Sequence, residues 1–204
     1  GVSPYLAFGK TYGKMTGMPV GLIQTSLGGS PMERWNPKDG DLYLNMLDKI
    51  HQTGGKYAGV LWYQGCSDTN PGPAEKYLEH FREYVEATRK ELGYEIPFFT
   101  MQLNRQINGI NDECWGMVRD AQARAAKEIP GVSVLTTSNL SLCDGIHNTA
   151  QANVALGEKL AKQCAHVLNG KEEYQPPELV KVERADEAER KSFQLELSLI
   201  HISE

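Results

Sequence analysis

The chain has 204 residues, 21 of them Lys or Arg against 26 Asp or Glu, for a formal charge of -5. That length suits one domain, or one domain with a piece of another. The acidic balance leaves no basic footprint for nucleic acid or an anionic membrane, and no apolar run reaches the roughly 20 residues that cross a bilayer.

The first segment reads as a helix: Ser3 is a capping residue, Pro4 fits the first turn, and the pattern runs to about Met15. It begins without Met or a signal peptide, so the compartment stays open, with the cytoplasm favoured over secretion. "MPVGLIQTS" is a short apolar run bounded by Gly and Pro and predicts a buried strand. "LGGSPMERWNPKDGD" is loop. "AGVLWYQ" predicts a second buried strand, ending at Gly65.

From Ala74 to Leu92 a helix is predicted, with Tyr77, Leu78, Phe81, Tyr84, Val85, Thr88 and Leu92 on one face. "IPFFTMQL" predicts a strand, Glu113 to Ile129 a helix stopped by Pro130, and "VSVLTTS" another strand. The last helix, "TAQANVALGEKLAKQCAHVLNG", ends at Gly170 as its cap. Beyond it, 173–196 reads as a charged, proline-bearing linker and the start of a β-rich region. The final "LSLIHISE", 197–204, matches a reading-frame translation of a transposon-end sequencing adapter; a short natural strand is the competing reading.

Strands and helices that alternate in this way predict an α/β fold, its mostly parallel sheet covered on both faces. In such sheets functional loops collect at the carboxyl ends of the strands. Three loops hold that position, after "GLIQTS", after "VLWYQ" and before His147, and they carry the chemically interesting residues.

"CDGIHNTAQ" places Asp144 three residues before His147 on a loop, so the carboxylate is set to accept the imidazole Nδ1 proton and leave Nε2 as a base. The competing reading is a surface loop whose Asn148 or Thr149 caps the next helix. "SLGGSPMERW" offers the backbone N–H groups of Gly28 and Gly29 to a cleft, as an oxyanion hole requires, against the alternative of a plain turn. Ser30 is not in a G-x-S-x-G elbow, because Met32 stands where the last Gly would be. In "WYQGCSD", Gln64 is either a second oxyanion donor or a satisfied structural amide, and Trp62 is core. Cys66, Cys114, Cys143 and Cys164 form no C-x-x-C pair, and no metal or cofactor is expected.

Taken in order and spacing, "PVGLIQTSLGGSPMERW", "GVLWYQGCSD", "PFFTMQL", "VRDAQ" and "DGIH" resemble the sialate O-acetylesterase branch of the SGNH hydrolases, over roughly residues 1 to 172. The resemblance implies a three-layer α/β/α, flavodoxin-like fold, here lacking its first strand. It implies removal of acetyl esters from an O-acetylated sugar by a Ser-His-Asp set, with sialic acid foremost and acetylxylan or another glycan as the alternative. Gly29 then supplies an oxyanion N–H, Gln64 and Gly65 complete the hole, and Asp144 and His147 are acid and base. Gly28, Ser30, Cys66 and Arg119 are cleft-lining candidates, and Arg119 and Gln122 match a family helix motif. The chain departs from the family in having Cys66 in place of Glu and Asn148 in place of Pro, the latter expected to alter only the start of the helix.

The family's nucleophilic serine lies in a turn after its first strand, which no stretch of this chain matches. The expectation is therefore an upstream serine and a 204-residue chain that is inactive toward acetyl esters and, with apolar strand edges exposed, poorly soluble or molten. Two rivals stand beside it: a thiol hydrolase with Cys66 as nucleophile, and a non-catalytic sugar-binding domain.

Overall fold

The computed structural model describes residues 2–169, and the backbone of 178–187 and 190–198. Three parallel strands, β1 (Val60–Trp62), β2 (Phe98–Met101) and β3 (Val132–Leu135), lie side by side in that order. Val60 pairs with Phe98, and Phe98 with Val132, so the carboxyl ends finish level. The connections are helical: α3 (Pro73–Leu92) leads from β1 to β2, and α4 (Asp112–Glu128) from β2 to β3. Parallel neighbours require such crossovers, because a tight hairpin cannot reverse the chain twice.

Alternate strand residues face opposite layers. Trp62, Phe98 and Val132 join Tyr77, Phe81 and Tyr84 of α3 and Val118 of α4 in one core. Phe99, Met101 and Leu135 join Phe8 of α1 (Pro4–Thr16) and Leu156 and Leu160 of α5 (Ala150–Leu168) in the other. Each strand is thus apolar on both sides, and the domain is a three-layer α/β/α sandwich. The first core is aromatic: the Trp62 ring lies 5.1 Å from Trp35, edge on, and 4.6 Å from Tyr84. Trp62 is 5% exposed, which makes it part of the packing.

Residues 41–53, to which the sequence reading gave no element, form α2 (Asp41–Thr53), which buries Leu42, Tyr43 and Met46. Met46 follows Leu42 by four residues and Tyr43 by three, which is the helical signal. A second difference concerns "MPVGLIQTS". Residues 18–27 make no strand; Leu22 and Leu27 are each 49% exposed. The apolar composition suits a buried strand, but a strand exists only through a hydrogen-bonded neighbour. β1 carries β2 on one edge and, among the described residues, nothing on the other.

Farther along, β4 (Glu178–Glu187) and β5 (Arg190–Ser198) pair antiparallel, consistent with the alternating pattern from "ELVKVER". Gly170, the linker residues 173–177 and the adapter-like residues 199–204 lie outside the described residues; the last described cap of α5 is Asn169.

Candidate active site

His147 lies in the loop between β3 and α5. That loop folds on itself: Cys143 N–H donates to His147 O at 2.9 Å, Leu142 bridges Asn148, and Thr149 N–H donates to Ser141 O at 3.0 Å. Thr149, not Asn148, caps α5, its hydroxyl accepting from Ala152 N–H at 3.1 Å. Asp144 Oδ1 accepts the amides of Ile146 and His147 at 2.8 and 2.7 Å, and its Oδ2 meets His147 Nδ1 at 2.8 Å.

Those two amides, His147 first, and then the imidazole hold the Asp144 carboxyl down at about 2. An ionised carboxylate only accepts, so Nδ1 carries a proton, and in the neutral imidazole Nε2 is the acceptor. The His147 side chain is 68% exposed, which leaves Nε2 open to an incoming group. Among the described residues no serine hydroxyl or thiol is hydrogen-bonded to it.

Asn148 does more than open the helix, contrary to the sequence expectation. Its amide nitrogen donates to Tyr63 Oη and to Asn153 Oδ1, both at 3.2 Å, and its oxygen accepts from Asn104 at 2.7 Å. The residue after the base is thereby tied to the ends of β1 and β2.

The Gly28–Gly29 turn lies in the loop before the short helix Met32–Trp35. Gly29 has φ 71°, and a Cβ on either glycine would meet nothing within 4 Å. The Gly28 and Gly29 amides donate no hydrogen bond among the described residues. An open turn with unspent N–H groups fits an anion. Ser30, by contrast, is committed: it is buried, its hydroxyl donates to Leu27 O at 2.8 Å, and it accepts the Trp35 indole N–H at 3.1 Å.

Gln64 sits beneath this turn. Its Nε2 donates to Ser30 O at 2.8 Å and to Asp68 Oδ2 at 2.5 Å, so its donors are spent on the protein and it acts through the loop. The reverse amide orientation would set Oε1 against a carbonyl and a carboxylate. As oriented, Oε1 is buried and has no hydrogen-bond partner among the described residues. Gly65 follows with φ 143°, and a Cβ there would meet Gln122 Nε2 and Val118 at 3.0 Å; only a glycine lets α4 approach this closely.

Arg119 and Gln122 are braces. Arg119 donates to Leu103 O at 2.8 Å and Ser138 Oγ at 2.7 Å, joining the ends of β2 and β3. Gln122, 1% exposed, accepts Leu103 N–H at 2.8 Å and donates to Gln64 O at 2.9 Å. Cys66 is a poor nucleophile: desolvation, reinforced by the Asp68 charge, pushes its thiol up to about 11. All four cysteines are free, and the described residues hold no cluster of three or more His, Cys, Asp or Glu suited to a metal.

The sequence reading missed Asp68 and Asn104. Both are polar residues just past strand ends, and that placement was their only signal.

The candidate site thus has two parts: a base oriented by a carboxylate in the loop after β3, and a glycine turn with open amides whose flank is held by Gln64 just past β1. Residues 1–166 match the profile of the family described as carbohydrate esterase, sialic acid-specific acetylesterase, and the chain belongs to that family. It is 28% identical over 171 residues to an Arabidopsis thaliana protein described as a probable carbohydrate esterase, a match covering 79% of this chain and 63% of that protein. The solved structure of that Arabidopsis protein superposes with a TM-score of 0.72, at 27% identity, over 81% of this chain and 68% of the other. A carbohydrate acetylesterase from Xanthomonas citri superposes with a TM-score of 0.76 at 25% identity, over 89% of this chain and 44% of the other. The chain thus spans less than two thirds of the curated relative's length.

Proposed function

We propose that this chain is the greater part of a carbohydrate esterase domain that hydrolyses O-acetyl esters on sugars. Sialic acid is the favoured substrate, and acetylxylan or another glycan is the alternative. The observation that carries the reading is the Asp144–His147 pair with an open Nε2. Nε2 takes the proton of a serine hydroxyl as its oxygen attacks the acetyl carbonyl. The Gly28 and Gly29 amides receive the oxyanion, and Asp144 stabilises the imidazolium. The imidazolium returns the proton to the departing sugar oxygen, and water, activated by the same base, releases acetate.

The serine is supplied by sequence preceding residue 1. Three observations support this: the commitment of Ser30 and, among the described residues, the bare outer edge of β1 and the unpaired Gln64 Oε1. The thiol rival is disfavoured by the raised Cys66 thiol. The test treats the full-length protein with a serine-directed phosphonate and with a panel of acetylated glycans. Labelling of an upstream serine, with acetate released preferentially from sugars, is expected. Labelling of Ser26, Ser30 or Ser67 would overturn the placement of the nucleophile, and equal release from unrelated small acetates would sink the sugar assignment.

A further inference from the structure

We propose that Asp68 is a positioning residue for the Gly28–Gly29 turn, its carboxylate locking that turn in the shape that receives the oxyanion. The inference rests on the esterase reading and adds to it a residue outside the Asp144–His147 pair.

Asp68 is 3% exposed, in the short helix Cys66–Asp68 that follows β1. Both its oxygens lie on Met32 N–H, at 3.0 and 3.2 Å, and Oδ2 also accepts from Gln64 Nε2 at 2.5 Å. Gln64 in turn holds Ser30 O. Three consecutive holds therefore fall on the segment just after the glycines: Gln64 on the Ser30 carbonyl, Trp35 on the Ser30 hydroxyl, and Asp68 on the Met32 amide. The turn itself, with φ 71° at Gly29 and open space around it, has no side chain of its own to fix it. Its geometry must come from its flank, and the flank is fixed by a buried carboxylate 36 residues away.

A neutral residue does not replace this. The carboxylate offers acceptors to two donors at once, whereas an amide at position 68 would point N–H at one of them. Protonation spoils the same arrangement. Burial raises the Asp68 carboxyl above its ordinary value, against the lowering by its bond from Gln64, by the Met32 amide and by His80. The charged and titratable groups around it are Lys76, His80 and Glu83 on α3, Glu33 on the Met32–Trp35 helix, and the Cys66 thiol and Tyr77 phenol. As pH falls, protonated Asp68 loses an acceptor and the turn loosens. Activity then requires Asp68 to be deprotonated.

The test uses the full-length protein and an aryl acetate. In the wild type, log kcat/KM should fall on the acid side with a slope about one unit steeper than in Asp68→Asn, the difference being the proton on Asp68. Asp68→Asn should lower kcat on the order of 10–100-fold with KM within about twofold, as expected when an oxyanion donor is misplaced. A wild-type measurement stands beside the variant: the Met32 amide proton resonance should titrate in step with the steeper part of the limb. A wild-type limb no steeper than that of Asp68→Asn, or a Met32 resonance that does not titrate across the limb, overturns the proposal. So does an Asp68→Asn enzyme with wild-type kcat. His147→Ala serves as the control: if it keeps wild-type turnover, the esterase reading itself has failed, whatever Asp68 does.

Discussion

The two halves of the site are held by opposite means. The Asp144–His147 pair is exposed and tied by local bonds: Asp144 reaches Ile146 and His147, two and three residues on. The glycine turn is held from a buried layer by Gln64 and Asp68, 34 and 36 residues away. A local arrangement in water forms wherever its few residues stand, and its energy is small. A buried, long-range one exists only after the sheet has assembled, and each unmade bond there costs a desolvated donor or acceptor. Chemistry that needs an accessible proton acceptor uses the first kind of support, and an oxyanion site that must not move uses the second.

The largest break in this contrast is His147→Ala. In the full-length protein it should cost on the order of 10²–10⁴-fold in acetyl ester hydrolysis, with little change in melting temperature because the side chain is exposed. Aryl acetate kinetics and a thermal melt together check it.

Asp144→Asn comes next, at roughly 10²-fold or more, since an amide facing Nδ1 favours the wrong tautomer. The pH dependence separates it from Asp68. Asp144 is held below its ordinary 3.8, at about 2, so it stays ionised and keeps its hold as pH falls until that range is reached. An acid limb near neutrality is therefore not its titration, and a pH–rate profile of the wild type should show no loss attributable to Asp144 above about 4.

On the buried side, Gln122→Leu removes the acceptor of Leu103 N–H and the donor to Gln64 O. Chemical denaturation should show a loss of about 1–3 kcal/mol from the stranded groups. A variant as stable as the wild type would mean that the strand ends are held some other way. The smallest effect is expected of Cys66→Ser: turnover within about twofold of wild type, and slow alkylation of the wild-type thiol at neutral pH, because few thiols there are ionised. Rapid alkylation with loss of activity would revive the thiol mechanism.

By itself the sequence determined the elements whose signals are local. The helices α1, α3, α4 and α5 follow from capping residues and 3.6-residue periodicity, and their ends fall within a residue or two of expectation. The strands β1, β2 and β3 were legible as short apolar runs between breakers, and the Asp144–His147 pair as a spacing of three. The tertiary structure decided what depends on a neighbour. Residues 18–27 have a strand's composition and form no strand, because pairing, not composition, makes one. Asn148 looked like a change at a helix start and joins three segments instead. Asp68 had no assigned role in the sequence and is buried against Met32 and Gln64. A side chain's role is local information only when its partners are local; these partners were brought up by the folding of the sheet.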